Sequence, residues 1–561
     1  MSSHFIIKCL DCGTQTPYYP GSSECPQCHS TWREAIYDYT TLSDSLPLQL
    51  PGRPFDIWRY HELLPVRQPN PDLSLGEGGT PLIRANNLGL MLGLQNLFIK
   101  DERQGPTASF KDRQAAVTIA ALKEAGINEA VVASTGNVAI AYSAYAARAG
   151  IKLWAFITSL VPAAKMREVA LYGTQVVKVT GSYDQAKQIA AEYARQRGIY
   201  LDIGPRSIPC LESMKTLAFE VTEQITALLG PPPRDPNHAT APWRAPDWYI
   251  QSVSGGLGPL GVAKGFRELN QLNLIEAQPR FGLVQVEGCA PIARAWKQND
   301  ENAAPIRSPK TLIATLATGD PGRTYNMLRR SMNEGSNGVA EIVSDEEAFR
   351  AMHLLAKMEG ISAEPAAAVA FAGLIKLVRA GTIKPTDVVV INCTGHTMPI
   401  ERNILGEGWG RNVVSPNSMN EESQEEGLLA ALSKMAVDRF PRIAIADDNP
   451  DVRRLIRRIL QTQGDYVIYE ATNGQEAIDV AVKEKPNLII LDLMMPEKDG
   501  FSVLDALQSN ADTADIPVIV VTAKELTAAE KSRLQGHIQS LMQKGDFMSD
   551  DLLNEVNMLL S

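Results

Sequence analysis

Four cysteines near the N-terminus have the spacing of a metal site. Cys9 and Cys12 form one Cys-x-x-Cys pair, and Cys25 and Cys28 form a second pair shortly after it. Two such pairs can present four thiolates to one tetrahedral ion, which suits Zn²⁺. Disulfides and functionally unrelated cysteines are the alternatives, and disulfides are disfavoured in a reducing compartment. Because four thiolates leave no open coordination position, we expect a structural zinc ribbon over residues 1–42.

A second group of candidate residues is acidic and lies towards the C-terminus. Asp447 and Asp448 follow one short apolar run, and Asp492 follows another. Three carboxylates at one edge of a sheet repel each other unless a cation neutralises them, and Mg²⁺ prefers oxygen ligands. Asp492 is then placed to accept a phosphoryl group as an aspartyl phosphate. Thr522 and Lys544 follow two later runs and are expected to contact the phosphoryl oxygens.

A third group combines a lysine with turns that follow apolar runs. Lys111 opens a predicted helix, whose positive end lowers the pKa of the amine and favours the neutral nucleophile. A Ser-Thr-Gly-Asn turn runs from Ser134 to Asn137. A glycine-rich turn at 254–258 and a threonine, Thr394, follow two further runs. Such glycines let backbone N–H groups surround a phosphate at a helix N-terminus.

The elements that must position this third group alternate short apolar runs with helical patterns. In the segment 43–412, these runs predict buried strands of a mostly parallel arrangement. The predicted strands are 130–134, 153–158, 175–180, 247–253, 281–287 and 387–393. Because α/β sheets bind ligands at the carboxyl ends of their strands, the turns of the third group are expected to converge on one site.

A polar, acidic segment, 413–440, is interpreted as a linker between two α/β segments. The segment after it, 441–561, repeats a strand followed by a helical pattern five times. This repeat predicts a flavodoxin-like doubly wound sheet. The acidic residues, Thr522 and Lys544 all follow strands, so we expect them to meet on one rim of that sheet.

The bulk properties of the chain exclude several classes of function. The net charge is -10, whereas a nucleic-acid surface needs clustered Lys and Arg, so no nucleic-acid partner is expected. The sequence has no apolar run of about 18 residues or more and no signal-peptide pattern, so neither a membrane span nor secretion is expected. The cysteines lie mostly in one cluster, and the chain is therefore predicted to be cytoplasmic.

Five motifs in the segment 43–412 occur in the order seen in one enzyme family. They are Gly-Glu-Gly-Gly-Thr-Pro-Leu, Ser-Phe-Lys-Asp-Arg, Ser-Thr-Gly-Asn, Ser-Gly-Gly-Leu-Gly and Cys-Thr-Gly-His. On these motifs the segment resembles the fold-type II pyridoxal-phosphate (PLP) enzymes, most closely those of the threonine synthase type. The resemblance implies a fold of two α/β subdomains after a small zinc ribbon, and it suggests a homodimer.

The same resemblance implies a role for each residue of the third group. Lys111 would bind the cofactor as a Schiff base and then move protons at the substrate carbons. Asn137 would hydrogen-bond the 3′-oxygen of the cofactor, and Thr394 would meet its pyridine nitrogen. The cofactor phosphate would be bound by the backbone amides of Gly255, Gly256, Leu257 and Gly258. The substrate would be contacted by Ser134, Thr135 and Lys165.

The implied reaction is that of a carbon-oxygen lyase, in which O-phosphohomoserine and water give threonine and phosphate. The substrate phosphate needs a second anion pocket, and there the sequence departs from the family. Val138 replaces a usual Thr, and Cys210, interpreted as a small core residue, replaces a usual Arg. Lys165 or Arg206 would have to supply the charge instead. The alternatives are a PLP lyase for another amino acid and an amino-acid-binding sensor or scaffold in a phosphorelay.

The segment 441–561 resembles the receiver domain of response regulators. The matching motifs are Asp-Asp at 447–448, Leu-Asp-Leu-Met-Met-Pro at 491–496, Val-Thr-Ala at 521–523 and Lys544. The resemblance implies a two-component phosphorelay, with a histidine kinase or phosphotransfer protein as partner and Mg²⁺ at the acidic residues. The fusion motivates the hypothesis that phosphorylation of Asp492 regulates the enzyme through the linker. Gly545 and Leu541 depart from the Pro and the aromatic residue that are usual in this family.

Overall fold

The computed structural model divides the chain into two compact units. The first unit is formed by residues 1–85, 95–356 and 362–400, and the second by 86–94, 357–361 and 401–561. The structure describes residues 5–134, 136–158, 161, 163–180, 183–232, 241–335, 338–396, 441–461, 466–524, 526–534, 536–543 and 549–560. The predicted linker 413–440, Thr135, Lys544 and Gly545 lie outside the described residues.

Thirteen described strands precede the predicted linker. They are β1 (Phe5–Cys9), β2 (Gln15–Thr16), β3 (Arg33–Tyr37), β4 (Leu82–Arg84), β5 (Asn96–Asp101), β6 (Glu129–Ser134), β7 (Lys152–Thr158), β8 (Gln175–Val179), β9 (Tyr200–Leu201), β10 (Trp248–Ser252), β11 (Arg280–Val286), β12 (Val339–Val343) and β13 (Val388–Cys393). All six strands predicted for this segment are present, and each start and end differs from the prediction by no more than one residue.

Thirteen described helices precede the predicted linker. They are α1 (Tyr39–Gln49), α2 (Asn86–Leu92), α3 (Lys111–Glu124), α4 (Asn137–Ala149), α5 (Ala163–Leu171), α6 (Tyr183–Arg197), α7 (Ile208–Met214), α8 (Thr216–Leu229), α9 (Leu257–Gln271), α10 (Pro291–Lys297), α11 (Thr324–Gly335), α12 (Asp345–Glu359) and α13 (Pro365–Arg379). Short 3-10 helices lie at Leu50–Gly52, Ile57–Leu63, Pro71–Leu73, Glu102–Gln104, Gly204–Arg206, Glu287–Cys289 and Ala314–Leu316.

The strands before the predicted linker form three sheets. The N-terminal sheet is antiparallel in the order β2-β1-β3. A four-stranded parallel sheet has the order β8-β7-β6-β9, and a six-stranded sheet has the order β12-β11-β10-β13-β5-β4. Only β4 is antiparallel to its neighbour in the six-stranded sheet. The two larger sheets correspond to the two predicted α/β subdomains, and every residue of β10 and β13 is buried, as expected for parallel strands covered on both faces.

The C-terminal unit contains the predicted doubly wound sheet. Its strands are β14 (Arg442–Ala446), β15 (Val467–Ala471), β16 (Leu488–Leu491), β17 (Val518–Thr522) and β18 (Ser540–Gln543), all parallel in the order β15-β14-β16-β17-β18. Its helices are α14 (Pro450–Gln461), α15 (Gly474–Glu484), α16 (Gly500–Gln508), α17 (Ala528–Leu534) and α18 (Ser549–Leu560). The described part of the chain contains no helix whose length and hydropathy would let it cross a bilayer.

Candidate active site

Lys111 and Thr394 are brought together by an antiparallel bridge between two loops. Ser109 pairs with Gly395, just before α3 and just after β13. The N–H of Phe110 donates to the carbonyl of Thr394 at 3.0 Å. Ala108, immediately before the bridge, has a φ of 57°, which is unusual for a residue with a side chain. The bridge therefore places the first residue of α3 beside the end of β13.

The amine of Lys111 lies on the wall of a cavity in the first unit. Its Nζ is 4.2 Å from the centre of the Phe110 ring, and it makes no hydrogen bond or ion pair with a described residue. Burial lowers the pKa of Lys111 to about 8, and the negative charges of Asp202 and Glu364 offset only part of that effect. The amine is therefore closer to its neutral, nucleophilic form than an exposed lysine would be.

The cavity has a volume of about 560 Å³ and collects most of the predicted site residues. Its wall includes Lys111, Asn137, Gly255, Gly256, Leu257, Gly258 and Thr394. Ser134 does not line the cavity, and its hydroxyl oxygen accepts the N–H groups of Gly136 and Ala139 at 2.9 and 3.0 Å. These bonds shape the turn that places Asn137 at the start of α4.

The glycine-rich turn connects β10 to α9 and forms a close-fitting part of the cavity wall. Gly256 has a φ of 92°, in the left-handed region that favours glycine. A Cβ at this position would lie 2.8 Å from side-chain atoms of both Thr324 and Leu328. A Cβ at Gly258 would collide with the side chain of Gln251. The turn at the start of α9 thus brings backbone without bulky side chains to the cavity wall, as a phosphate site at a helix N-terminus requires.

A buried carboxylate that the sequence analysis missed organises the other side of the site. Glu364 accepts two hydrogen bonds from the amide nitrogen of Asn137, at 2.9 and 3.0 Å. The Nζ of Lys165 donates to the amide oxygen of Asn137 at 3.0 Å and lies 3.5 Å from Glu364. Lys165 does not line the cavity. Glu364 directly precedes Pro365 at the start of α13, so in the sequence it resembles an ordinary helix-start residue.

A buried ion network holds α3 against the rest of the unit. Arg113, in the first turn of α3, donates to Glu102 at 2.8 Å and to Glu220 of α8 at 2.5 Å. Lys100 of β5 donates to the same Glu220 at 2.7 Å. Burial would raise the pKa of Glu220, but the positive charges of Arg113 and Lys100 outweigh it and lower the pKa to about 2. The network fixes the orientation of the helix whose first residue is Lys111.

The two positions that depart from the family differ in their access to the cavity. Val138 lines the cavity. Cys210 is fully buried and does not line it, with Sγ 3.2 Å from both the Tyr142 hydroxyl and the Asp202 carboxylate. Burial raises the pKa of the Cys210 thiol, so the group stays protonated. In addition to Lys111, the cationic side chains on the cavity wall are Lys187, Arg206 and Arg323.

The four N-terminal cysteines have the geometry of one tetrahedral site. The sulfurs of Cys9 and Cys28 are 3.5 Å apart, those of Cys12 and Cys25 are 3.6 Å apart, and all four lie within 4.8 Å of one another. Ligands at Zn–S distances of about 2.3 Å in a tetrahedron are about 3.8 Å apart. The donor set and its spacing therefore fit Zn²⁺.

The acidic residues of the C-terminal unit meet at the carboxyl edge of its sheet. Asp447, Asp448 and Asp492 each place a carboxylate oxygen within 4.8 Å of the others. Asp447 and Asp492 are buried, whereas Asp448 is exposed. Thr522 is buried at the end of β17, next to β16 in the sheet. An all-oxygen cluster of this kind suits Mg²⁺.

The comparisons with known proteins agree with both α/β segments. Residues 73–395 match the family model described as "Pyridoxal-phosphate dependent enzyme", and residues 443–557 match the model of the response regulator receiver domain. A threonine synthase from Methanocaldococcus jannaschii is 35% identical over 367 residues, which cover 65% of this chain and 85% of that protein. A threonine synthase from Methanosarcina acetivorans is 32% identical over 420 residues, which cover 74% of this chain and 96% of that protein.

A solved structure of maize serine racemase has a TM-score of 0.48 and 21% identity, covering 57% of this chain and 89% of that chain. The family matches confirm the two resemblances seen in the sequence, to a threonine synthase-like PLP enzyme and to a receiver domain. They also confirm the predicted fold class and the prediction of a threonine synthase-like PLP-dependent carbon-oxygen lyase.

Proposed function

Because the chain belongs to the pyridoxal-phosphate-dependent enzyme family, we propose that it is a threonine synthase, converting O-phosphohomoserine and water to threonine and phosphate. The observation that carries this proposal is the position of Lys111. Its amine has a pKa of about 8 and lies on one cavity wall with Asn137, the glycine-rich turn and Thr394. Relatives named threonine synthase, whose lengths this chain matches over 85% and 96%, support the choice of reaction.

The residues of the cavity fit the cofactor that the family binds. The glycine-rich turn would hold the phosphate through backbone N–H groups, and Asn137 and Thr394 would contact the ring. Lys111 would hold the cofactor covalently, since its amine has no polar partner among the described residues. When bound, the cofactor would supply an electron sink for charge that develops at the substrate carbons.

Within this arrangement Lys111 would also move protons. The reaction requires removal of protons from Cα and Cβ of the substrate, and a single mobile amine can serve both atoms. A pKa of about 8 lets Lys111 exchange a proton near neutral pH, which an exposed lysine does poorly. Glu364 would orient Asn137 through the two hydrogen bonds to its amide nitrogen.

The purified protein tests the proposed reaction directly. We expect O-phospho-L-homoserine to be converted to equal amounts of inorganic phosphate and threonine, measured by a phosphate assay and by chromatography. Other O-phosphorylated and hydroxylated amino acids form the comparison set. Release of phosphate or ammonia from another member, but not from O-phospho-L-homoserine, would show a PLP lyase for a different amino acid. Absence of turnover with every member would favour the sensor or scaffold function.

The lowered pKa of Lys111 predicts how cofactor binding depends on pH. Only the neutral amine of Lys111 is nucleophilic and would hold the cofactor, and the neutral fraction rises with pH until it saturates above the pKa of about 8. The rate of cofactor uptake by the apoprotein should therefore rise about tenfold per pH unit below 8 and level off above it. Stopped-flow absorbance from pH 6 to pH 10 measures this rate. A rate that still climbs steeply between pH 9 and pH 10 would contradict the prediction.

The two metal sites belong to the same proposal. Cys9, Cys12, Cys25 and Cys28 would bind a structural Zn²⁺, supported by their tetrahedral spacing. Asp447, Asp448 and Asp492 would bind Mg²⁺, supported by their oxygen spacing. Asp492 would then be the phosphorylation site, with a histidine kinase or phosphotransfer protein as the donor.

Regulation of the enzyme by the receiver domain is the second function that we propose. The covalent fusion and the acidic cluster support it. Acetyl phosphate with Mg²⁺ should phosphorylate the protein and change its turnover. The Asp492→Ala variant should not be phosphorylated, and its turnover should not change when acetyl phosphate is added. Asp479→Ala, which alters an exposed acid of α15, is the matched control and should behave as the wild type. Equal turnover with and without stoichiometric phosphorylation would show that the receiver acts on a partner protein instead.

A further inference from the structure

The cysteine ribbon contributes to the wall of the catalytic cavity. Trp32, which follows the second cysteine pair, lines the cavity together with residues of the two larger sheets. Asp11 lies between Cys9 and Cys12, and its carboxylate is 2.5 Å from the guanidinium of Arg323. The ribbon is therefore part of the site. Asp11, which is next to Cys12 in the sequence, contacts Arg323 of the cavity wall.

Arg323 is held in place from two directions by the ribbon. Its Nη1 forms the ion pair with Asp11, and its guanidinium carbon lies 5.6 Å from the centre of the Trp32 ring, within the range of a cation–π contact. Among the described residues, Asp11 is the one ion-pair partner of Arg323. The ion pair engages one end of a planar group with five N–H donors, so other donors remain available to a ligand in the cavity.

Apart from Lys111, the other charged groups of this wall have polar protein partners. Lys187 pairs with Asp184 at 2.6 Å. Asp320 accepts the N–H of Gly322 at 2.8 Å, and Asp202 accepts the amide of Gln114 at 3.0 Å. Arg206 reaches the hydroxyl of Thr31 in the ribbon at 3.5 Å. Of the cationic side chains on this wall, Arg323 makes the more extensive contacts with the ribbon, through Asp11 and Trp32, whereas Arg206 contacts only Thr31.

We propose that Arg323, positioned by Asp11 and Trp32 of the cysteine ribbon, binds the anionic side-chain group of the substrate. This inference rests on the proposed function, because it assumes an amino-acid substrate that carries a phosphate or a similar anion. A guanidinium matches the geometry of such a group, and immobilisation by the ribbon lowers the entropy lost on binding. Arg323 would thereby supply the positive charge that the family usually has as an arginine at the position of Cys210.

Binding of a matched pair of ligands tests the assignment. Isothermal titration of the holoenzyme with O-phospho-L-homoserine and with L-homoserine separates recognition of the phosphate from recognition of the amino acid. Arg323→Gln should weaken binding of the phosphorylated ligand about 10- to 100-fold, as expected for loss of a charge-assisted hydrogen bond. Binding of L-homoserine should stay within about twofold. In turnover assays KM should rise while kcat changes little.

Two further variants test whether the ion pair between Asp11 and Arg323 is needed for ligand binding. Asp11→Asn removes the ion pair but none of the four cysteines, so it should weaken binding of O-phospho-L-homoserine in the same direction with an unchanged zinc content. Arg350→Gln removes an exposed arginine of α12 that does not line the cavity and should match the wild type. Wild-type affinity in Asp11→Asn would overturn the role of the ribbon.

The result for Arg323→Gln is distinguishable from failure of the proposed reaction. If the wild type binds O-phospho-L-homoserine but does not convert it, the proposed reaction is wrong. The loss of affinity in Arg323→Gln, for this ligand or for inorganic phosphate, still measures the role of Arg323. An equal loss of affinity for both ligands, or no loss for either, would overturn the inference.

Discussion

Replacement of Lys111 by alanine is expected to lower turnover by at least about 10³-fold while the protein stays folded. The variant loses both the nucleophile that holds the cofactor and the base that moves protons at the substrate carbons. Lys111 lies on the cavity wall and makes no hydrogen bond or ion pair with a described residue, so its removal should leave the packing of α3 intact. Steady-state kinetics with the purified variant measure the loss.

A covalent label gives this prediction a second readout. Treatment of the wild-type holoenzyme with borohydride should lock the cofactor onto the peptide that contains Lys111, as seen by mass spectrometry, and Lys111→Ala should show no labelled peptide. Lys123→Ala is the matched control, because Lys123 lies near the end of the same helix and donates to the carbonyl of Ala149. A Lys111→Ala variant with more than a tenth of wild-type turnover would contradict the assignment.

Replacement of Arg113 by leucine is expected to lower the free energy of unfolding by about 3–5 kcal/mol. The side chain is 1% exposed and donates to both Glu102 and Glu220. Without it, Lys100 still pairs with Glu220, but the buried Glu102 loses its ion-pair partner and its charge is left without compensation. Calorimetric unfolding of the full chain measures the effect on the transition of the first unit, which contains Arg113.

A matched surface variant controls for the general effect of replacing arginine by leucine. Arg195 forms an exposed ion pair with Glu192 in α6, and such pairs contribute little. Arg195→Leu should therefore unfold like the wild type. Arg113→Leu should also lower cofactor affinity, because the same network orients the start of α3. Wild-type stability in Arg113→Leu would show that the buried network is dispensable.

The secondary structure around the site could be predicted because its signals are local. Runs of β-branched or aromatic residues in β6, β10 and β13 give a strand signal within a few positions, and turn residues follow each run. Within the segment 43–412, the strands β4, β5, β9 and β12 were not predicted. β5 ends in Lys100 and Asp101, and these charges are buried only because partners such as Glu220 and Arg103 come from outside the strand. β9 has only two residues, Tyr200–Leu201.

The fold class follows from the sequence alone, and so does the set of residues that we propose hold the cofactor. The strand-end rule groups Asn137, the glycine-rich turn and Thr394, whereas Lys111 joins them through the order of the family motifs. Which of the predicted site residues line the cavity depends on the tertiary structure. Ser134 and Lys165 were predicted to contact the substrate, but both lie outside the cavity wall.

The tertiary structure also decided the side of the site that would bind the substrate. Glu364 meets Asn137 across 227 positions of the chain, and Arg323 meets Asp11 in the ribbon. Neither residue carries a local signal, because a glutamate before a helix proline and an arginine in a loop are ordinary solvated residues in a sequence. Their roles depend on how the ribbon and the two sheets pack together, which no short-range pattern encodes.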